Sequence, residues 1–504
     1  MGSLRSLKRK VPRCMSTQHP DNASIPFFSE GPVIEGDTEV KEAYYSFSHL
    51  RCGEQMWDAE GKDVDDYVVR KLLARYDSFF EKNMLGKDVF LTLRVPNPSV
   101  EQGEAKVLLE TLESIPRSFD VARGMGSSGA AAPVFEVILP MTSSAAELNR
   151  IYYYYRDFVA GKEDKPLHDT TVKEWIGSFD PDEINVIPLF ETKEQMLSSS
   201  SIVEEYVKGK ELDGCRVFLA RSDPALNYGG LAAVLINKVA VQRLYELEKK
   251  LGIPLPVIIG VGSCPFRGNL RPDNTNCLKG YPSVQTFTVQ SAFKYDYPEE
   301  MVVRAIAELN DAPRGRPTEV DEAASVELIE RVSSAYRSQV TLLAPVVNQL
   351  AGFVPQRRKR KLHIGLFGYS RKIQGVNGVS LPRAISFCAA LYSVGLPPEI
   401  LGLNALSEGD FDILDESYKN FRNDLADALR YYSDDCASVL PREVLAQLKP
   451  VICRLQSELD LANGPETDEH AALVRQIIDA YAKNRTRELQ ELIVDAARVR
   501  KFLG

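Results

Sequence analysis

Metal-ligand spacing of the zinc type is missing from this chain. Its eight cysteines, at positions 14, 52, 215, 264, 277, 388, 436 and 453, form no C-x-x-C pair, and its five histidines are scattered. Structural zinc needs paired thiolates or imidazoles at short spacing, so the pattern argues against it. Thiols this dispersed in a long chain read as reduced cysteines of a cytoplasmic protein rather than as a disulfide framework. No run of about 18 apolar residues occurs, which leaves no candidate membrane span. The first ten residues are basic but lack the apolar core of a signal peptide. They fit the permissive Met-Gly-x-x-x-Ser pattern of myristoylation, and Met15 is an alternative start. An excess of positive charge is missing too: the net charge is −9. Nucleic-acid and membrane-surface roles therefore have no compositional support, and an anionic substrate would need a local basic pocket set against the global field. No internal repeat or low-complexity segment is present.

What is there is a long chain with ample core. Of 504 residues, 44% are hydrophobic and 26% charged, as in ordinary globular proteins. Short apolar runs, each followed by a turn and a helical pattern, recur at Asp88–Val95, Val134–Pro140, Ile184–Phe190, Val217–Ala220, Pro256–Val261, Val284–Gln290 and Leu362–Phe367, with a weaker one around Pro12–Gln18. Alternating strands and helices predict a parallel sheet, and about eight of them predict a closed α/β barrel of the (β/α)8, TIM-barrel type. The interval 40–87 is helical in pattern. Beyond about residue 380 only helices are expected, at Leu381–Val394, Tyr418–Ser433, Pro441–Leu461 and Asp468–Leu503. The chain thus reads as one domain over 1–504, a barrel core of about 15–380 with a C-terminal helical layer of about 381–504 packed on it. Gly124-Met-Gly126-Ser-Ser-Gly129 fits G-x-G-x-x-G, but it precedes a strand instead of following one, so it reads as a loop and not as a dinucleotide fingerprint.

In such a barrel the chemistry collects at the C-terminal ends of the strands. The residues there are His19, Arg94, Met141, Glu191, Asp223, Arg267, Gln290 and Arg371. Glu191 and Asp223 each end an apolar run. Two acids so placed either cap the following helices or form a hard, oxygen-rich site for Mg²⁺ or Mn²⁺, with water and substrate oxygens completing the shell. Arg94, Arg267, Arg271, Arg371 and Arg383 stand near glycine-rich turns, and guanidinium forks bind phosphate and carboxylate bidentately. His19, set in a Pro–Asp–Asn turn, is a candidate acid, base or electrostatic stabiliser. These pieces point to a metal-dependent barrel enzyme acting on a small phosphorylated acid.

The same residues carry a resemblance. Ser16-Thr-Gln-His-Pro-Asp-Asn22, Pro188-Leu-Phe-Glu-Thr192, Arg221-Ser-Asp-Pro-Ala-Leu-Asn-Tyr-Gly229, Gly262-Ser-Cys-Pro-Phe-Arg-Gly-Asn-Leu-Arg271, Gly368-Tyr-Ser-Arg371 and Ser380-Leu-Pro-Arg383 are similar to segments of the compact, archaeal-type phosphoenolpyruvate carboxylases, from about Met15 to Gly504. The resemblance implies a cytoplasmic carbon–carbon lyase that converts phosphoenolpyruvate and bicarbonate to oxaloacetate and phosphate with Mg²⁺ or Mn²⁺, through carboxyphosphate and a pyruvate enolate. It implies metal ligation by Glu191 and Asp223, phosphate binding by Arg94, Arg267 and Arg383, a carboxyphosphate role for Arg371, assistance of its breakdown by His19, and Gly504 near the site. Catalysis is expected from His19, Arg371 and Arg267, and substrate contacts from Arg94, Arg267, Arg271, Arg383 and Gln290. A homotetramer and feedback by aspartate or malate belong to the same expectation. The longer bacterial and plant enzymes have a histidine just before the arginine that Arg267 resembles, where this chain reads Cys264-Pro-Phe, and a lysine where it has Leu226, so those two roles do not carry over. The job of Arg271 and the place of Trp57, in the core or at a CO₂ pocket, stay open. Competing readings are another metal-dependent enolate-forming barrel lyase and a catalytically inactive dicarboxylate sensor.

Overall fold

The computed structural model describes residues 9–59, 65–125, 131–359, 379–459 and 465–504. Eight parallel strands close into a barrel: β1 (Cys14–Ser16), β2 (Glu54–Asp58), β3 (Phe90–Arg94), β4 (Glu136–Leu139), β5 (Asn185–Phe190), β6 (Val217–Ala220), β7 (Val257–Gly260) and β8 (Thr286–Val289). Their order round the barrel follows the chain, and β8 pairs back on β1 with Cys14 opposite Phe287 and Ser16 opposite Val289. The (β/α)8 fold expected from the alternation of runs is therefore the fold of the chain.

The strands were not all where the pattern put them. Six of the apolar runs become β3 to β8 and the weak N-terminal run becomes β1. The eighth barrel strand is β2, Glu-Gln-Met-Trp-Asp, inside the interval read as helical. It lies between the helices Asp37–Ser48 and Val68–Arg75, and its inward residues include two acids, so it shows no apolar alternation. Leu362–Phe367 lies outside the described residues, and the barrel closes without it. Gly124 ends the helix Ala105–Gly124 rather than opening one, and Gly126 and Gly129 lie outside the described residues.

Because side chains alternate along a strand, every second residue points inward. Met15, Met56, Ile138, Ile187, Leu189, Phe218, Ala220 and Ile258 form one buried cluster there, each contributing about 1.5–3 kcal/mol for the larger side chains. Below it lies a polar layer drawn from alternate strands. Arg216, just before β6, donates to Glu54 of β2 at 2.8 and 2.7 Å, to Glu136 of β4 at 3.1 Å and to Thr286 of β8 at 3.4 Å. Such four-residue layers from alternate strands are how a barrel of this kind fills its interior.

Helices wrap the strands, and a 30-residue helix, Glu322–Ala351, packs along Gly230–Leu251. The C-terminal region is helical as expected. The long pattern at Asp468–Leu503 is, however, two helices, Pro465–Ala482 and Thr486–Arg500, broken where Asn484 takes a left-handed conformation (φ 53°). Apolar periodicity runs through such a break because both helices bury their stripe on each other. After Lys501 (φ 60°) the chain turns in, and the Leu503 amide donates to the Asp21 carbonyl at 2.7 Å. Among the described residues no single helix is long and apolar enough to cross a membrane.

Candidate active site

The inward register that fills the barrel also builds its mouth. Following the two-residue step to the strand ends and beyond leads from Met15 and Thr17 to His19, from Thr92 to Arg94, from Leu189 to Glu191 and from Ala220 to Ser222. All four end points line a cavity of about 940 Å³. Asp223, Arg267 and Arg383 line it as well, so six of the nine expected site residues share one cavity. Gln290 stands behind Arg267 and accepts a hydrogen bond from its guanidinium.

Neither acid caps a helix. After Glu191 the cap of Lys193–Leu197 is Thr192, whose hydroxyl accepts from the Gln195 amide. Glu191 instead accepts from the Met141 amide at 2.7 Å. Asp223 lies inside the first turn of Ser222–Tyr228 and faces the cavity. Burial pushes its carboxyl up from the usual Asp range, while Arg94, Arg383 and Arg267 pull the other way. Three guanidinium groups thus act on one carboxylate at the cavity floor. Among the described residues no group of three or more His, Cys, Asp or Glu side chains could hold a metal. Two carboxylates sharing a cavity suit a hard cation that keeps waters or substrate oxygens for the rest of its shell.

Arg94 and Arg267 are held in place by buried partners. Arg94 makes a bidentate pair with Asp58 at the end of β2, at 2.9 and 2.6 Å. Arg267, 1% exposed, donates from Nε to Ser222 at 3.0 Å and from Nη1 to Asp21 at 3.2 Å and to the Gly504 carbonyl at 2.7 Å. Asp21 in turn accepts from the Ala292 amide at 2.7 Å, and burial raises its carboxyl although Arg267 opposes the shift. His19 is oriented through Nδ1, 2.9 Å from the Thr17 hydroxyl.

Other expectations fall elsewhere. Arg271 does not line the cavity: it pairs with Asp427 at 3.0 Å, beside the helix Phe421–Leu429. Trp57 points outward from β2, is 1% exposed and belongs to the main core. Cys264 is buried next to Glu399, itself hydrogen-bonded by Tyr392 at 2.6 Å. Burial pushes Glu399 up to about 7. Arg371 lies outside the described residues. Asp21 and Asp58, the partners of two site arginines, were missed. Asp21 stood in a quoted motif, two residues after His19, whereas Asp58 was hidden by the helical reading of its strand.

Gly268 fixes the turn behind Arg267. Its φ is +131°, and a Cβ there would meet Val261 at 2.7 Å. Gly268→Ala is expected to cost about 1–3 kcal/mol, seen as a lower melting temperature, and to impair turnover through Arg267. An unchanged melting temperature would show that the turn relaxes freely.

The model of the phosphoenolpyruvate carboxylase family matches residues 11–504. A phosphoenolpyruvate carboxylase of Methanothermobacter thermautotrophicus is 54% identical over 501 residues, covering 98% of this chain and 100% of that one. One of Methanospirillum hungatei is 52% identical over 498 residues, and one of Pyrococcus abyssi 54% over 495, each with 98% of this chain and 100% of the relative covered.

Proposed function

The chain belongs to the phosphoenolpyruvate carboxylase family, and from that premise we propose that it joins phosphoenolpyruvate and bicarbonate to give oxaloacetate and inorganic phosphate. The observation that carries the reading is the single cavity shared by Glu191, Asp223, His19, Arg94, Arg267 and Arg383. Mg²⁺ or Mn²⁺ held by Glu191 and Asp223 would supply, when bound, positive charge for the enolate oxygen that develops in the reaction.

The chain's own residues do the rest. Arg94 and Arg383 bind the phosphoryl group, with Asp58 fixing the plane of Arg94. Arg267 closes the phosphate side, its angle set by Ser222, Asp21 and Gln290. Bound this way, a bicarbonate oxygen attacks phosphorus and the bond from phosphorus to the enol oxygen breaks, giving carboxyphosphate and the pyruvate enolate. His19 takes the carboxyl proton as carboxyphosphate separates into CO₂ and phosphate. The enolate carbon then forms the new carbon–carbon bond to CO₂. Arg371 is proposed for the carboxyphosphate. Positioned guanidinium groups around a developing charge are the usual source of such stabilisation, and a water-poor cavity protects the labile intermediate. A cytoplasmic homotetramer, with feedback by aspartate or malate, belongs to the same proposal.

The test couples oxaloacetate formation to NADH oxidation by malate dehydrogenase. Turnover is expected to need phosphoenolpyruvate, bicarbonate and a divalent cation, and to stop on chelation. Phosphate release without a bicarbonate requirement would point to a different enolate-forming lyase, and binding of dicarboxylates without any turnover to a sensor.

A further inference from the structure

Two arginines follow one another at the cavity wall, and only one of them is neutralised. Arg358 donates to Glu42 at 2.5 and 2.6 Å and to Glu39 at 3.1 Å. Its charge is balanced inside the protein. Arg357, 5% exposed, lines the cavity and pairs with no carboxylate among the described residues. Its Nε donates to the Asn22 carbonyl at 3.1 Å and its Nη2 to the Ala23 carbonyl at 2.7 Å. These bonds use one edge of the guanidinium and leave Nη1 without a hydrogen bond among the described residues. The acid acting on it is Asp296, and Arg498 opposes that attraction. Asp296 spends both oxygens on the Ala23 and Ser24 amides, each at 2.7 Å, and burial pushes it up to about 7. It is a weak counter-charge.

A buried guanidinium held by neutral carbonyls is costly unless an anion completes it. The loop that holds it also holds Arg267. Asp21 binds Arg267, and the next residue's carbonyl binds Arg357. One turn, Asp21 to Ala23, therefore holds both guanidinium groups, and both arginines line the same cavity. A three-carbon phosphorylated acid presents two anionic ends. The arginines proposed above attend to the phosphoryl end only.

We propose that Arg357 binds the carboxylate of the phosphorylated substrate and so selects a 2-carboxylated phosphate ester over a simple one. The proposal rests on the reading of the cavity as a phosphoenolpyruvate site, and it adds a residue from the segment after the helix Glu322–Ala351 to the strand-end set. Fork-shaped, charge-assisted recognition of a carboxylate is what a fixed arginine provides and a lysine reproduces only in part.

Calorimetric titration with two probes tests it: phosphoglycolate, which has both anionic groups, and methyl phosphate, which lacks the carboxylate. The wild-type chain is expected to favour phosphoglycolate by tenfold or more. Arg357→Gln should lose that preference while binding methyl phosphate as before. Arg357→Lys, which keeps the charge, should retain part of it. Equal weakening of both probes in Arg357→Gln would mean that Arg357 only clamps the His19 loop and would overturn the proposal, as would an unchanged preference. Both variants are compared at matched helical content and melting temperature, so a folding defect is seen directly. The binding readout does not depend on turnover. Loss of oxaloacetate formation in the wild-type chain would therefore sink the functional reading while the preference for the carboxylated probe still reports on Arg357.

Discussion

Asp223→Ala is expected to lower turnover by about a hundred- to a thousandfold while leaving the melting temperature nearly unchanged. Removing one well-placed electrostatic stabiliser from an active site costs about 10²–10³ in rate, and Asp223 is half of the proposed protein ligand set for the cation. The small effect on stability follows from its surroundings. Asp223 faces the cavity, and burial already disfavours its ionised form, offset by Arg94, Arg383 and Arg267. Alanine removes that burial penalty along with the attraction, so the two losses oppose each other. The short helix Ser222–Tyr228 does not depend on Asp223 for its cap. Binding of Mn²⁺, followed by its paramagnetic signal, should weaken in parallel with turnover. Rates like those of the wild-type chain would remove Asp223 from the metal site. Intact Mn²⁺ affinity with lost turnover would instead leave Glu191 as the principal ligand.

That the two acids could be picked out beforehand has a physical cause. Each follows a strand that is apolar on both faces, so the chain changes character abruptly where the barrel ends. Ile-Asn-Val-Ile-Pro-Leu-Phe gives way to Glu191, and Val-Phe-Leu-Ala to Arg221-Ser-Asp223. β2 offers no such contrast. Its inward residues are Glu54, Met56 and Asp58, and the polar ones are silent until their partners, Arg216 and Arg94, are known. A strand whose charges are neutralised by distant residues looks like any polar segment in the chain. Arg271 stands away from the cavity for the opposite reason. It lies beside Arg267 in the same motif, but Asn269 (φ 56°) takes a left-handed conformation between them and Arg271 ends beside Asp427. Proximity in sequence does not survive a turn of that kind. Gly504 reached the site through tertiary packing: the C-terminal helix Thr486–Arg500 packs on Ala384–Ser393 and delivers the last residues to Asp21 and Arg267.

The other end of the barrel carries the largest expected effect on stability. Arg216→Ala should destabilise the protein by about 3–5 kcal/mol, the usual cost of removing one partner from a buried ion pair. Arg216 is 4% exposed, Glu54 is fully buried and Glu136 is 7% exposed. Glu54 also accepts from the Thr92 hydroxyl. Without the guanidinium, the buried carboxylates of Glu54 and Glu136 lose the charge they share, and the Thr92 hydroxyl serves Glu54 alone. Burial already raises Glu136, and Arg216 is its main opposing charge, so the variant should take up a proton there and lose stability further as pH rises. The denaturant midpoint and the melting temperature report the loss. A triple variant in which Arg216, Glu54 and Glu136 become Met, Leu and Leu should recover much of it, because a buried ion triad and a well-packed apolar set of similar volume differ little in net stability. The proposed chemistry lies at the opposite mouth, above the apolar cluster of Met15, Met56, Ile187 and Phe218. The folded fraction of Arg216→Ala should therefore turn over normally, with kcat unchanged per folded molecule. A wild-type denaturant midpoint for Arg216→Ala would mean that water or a shift of the strand ends replaces the guanidinium, and that the polar layer is not what holds the barrel floor.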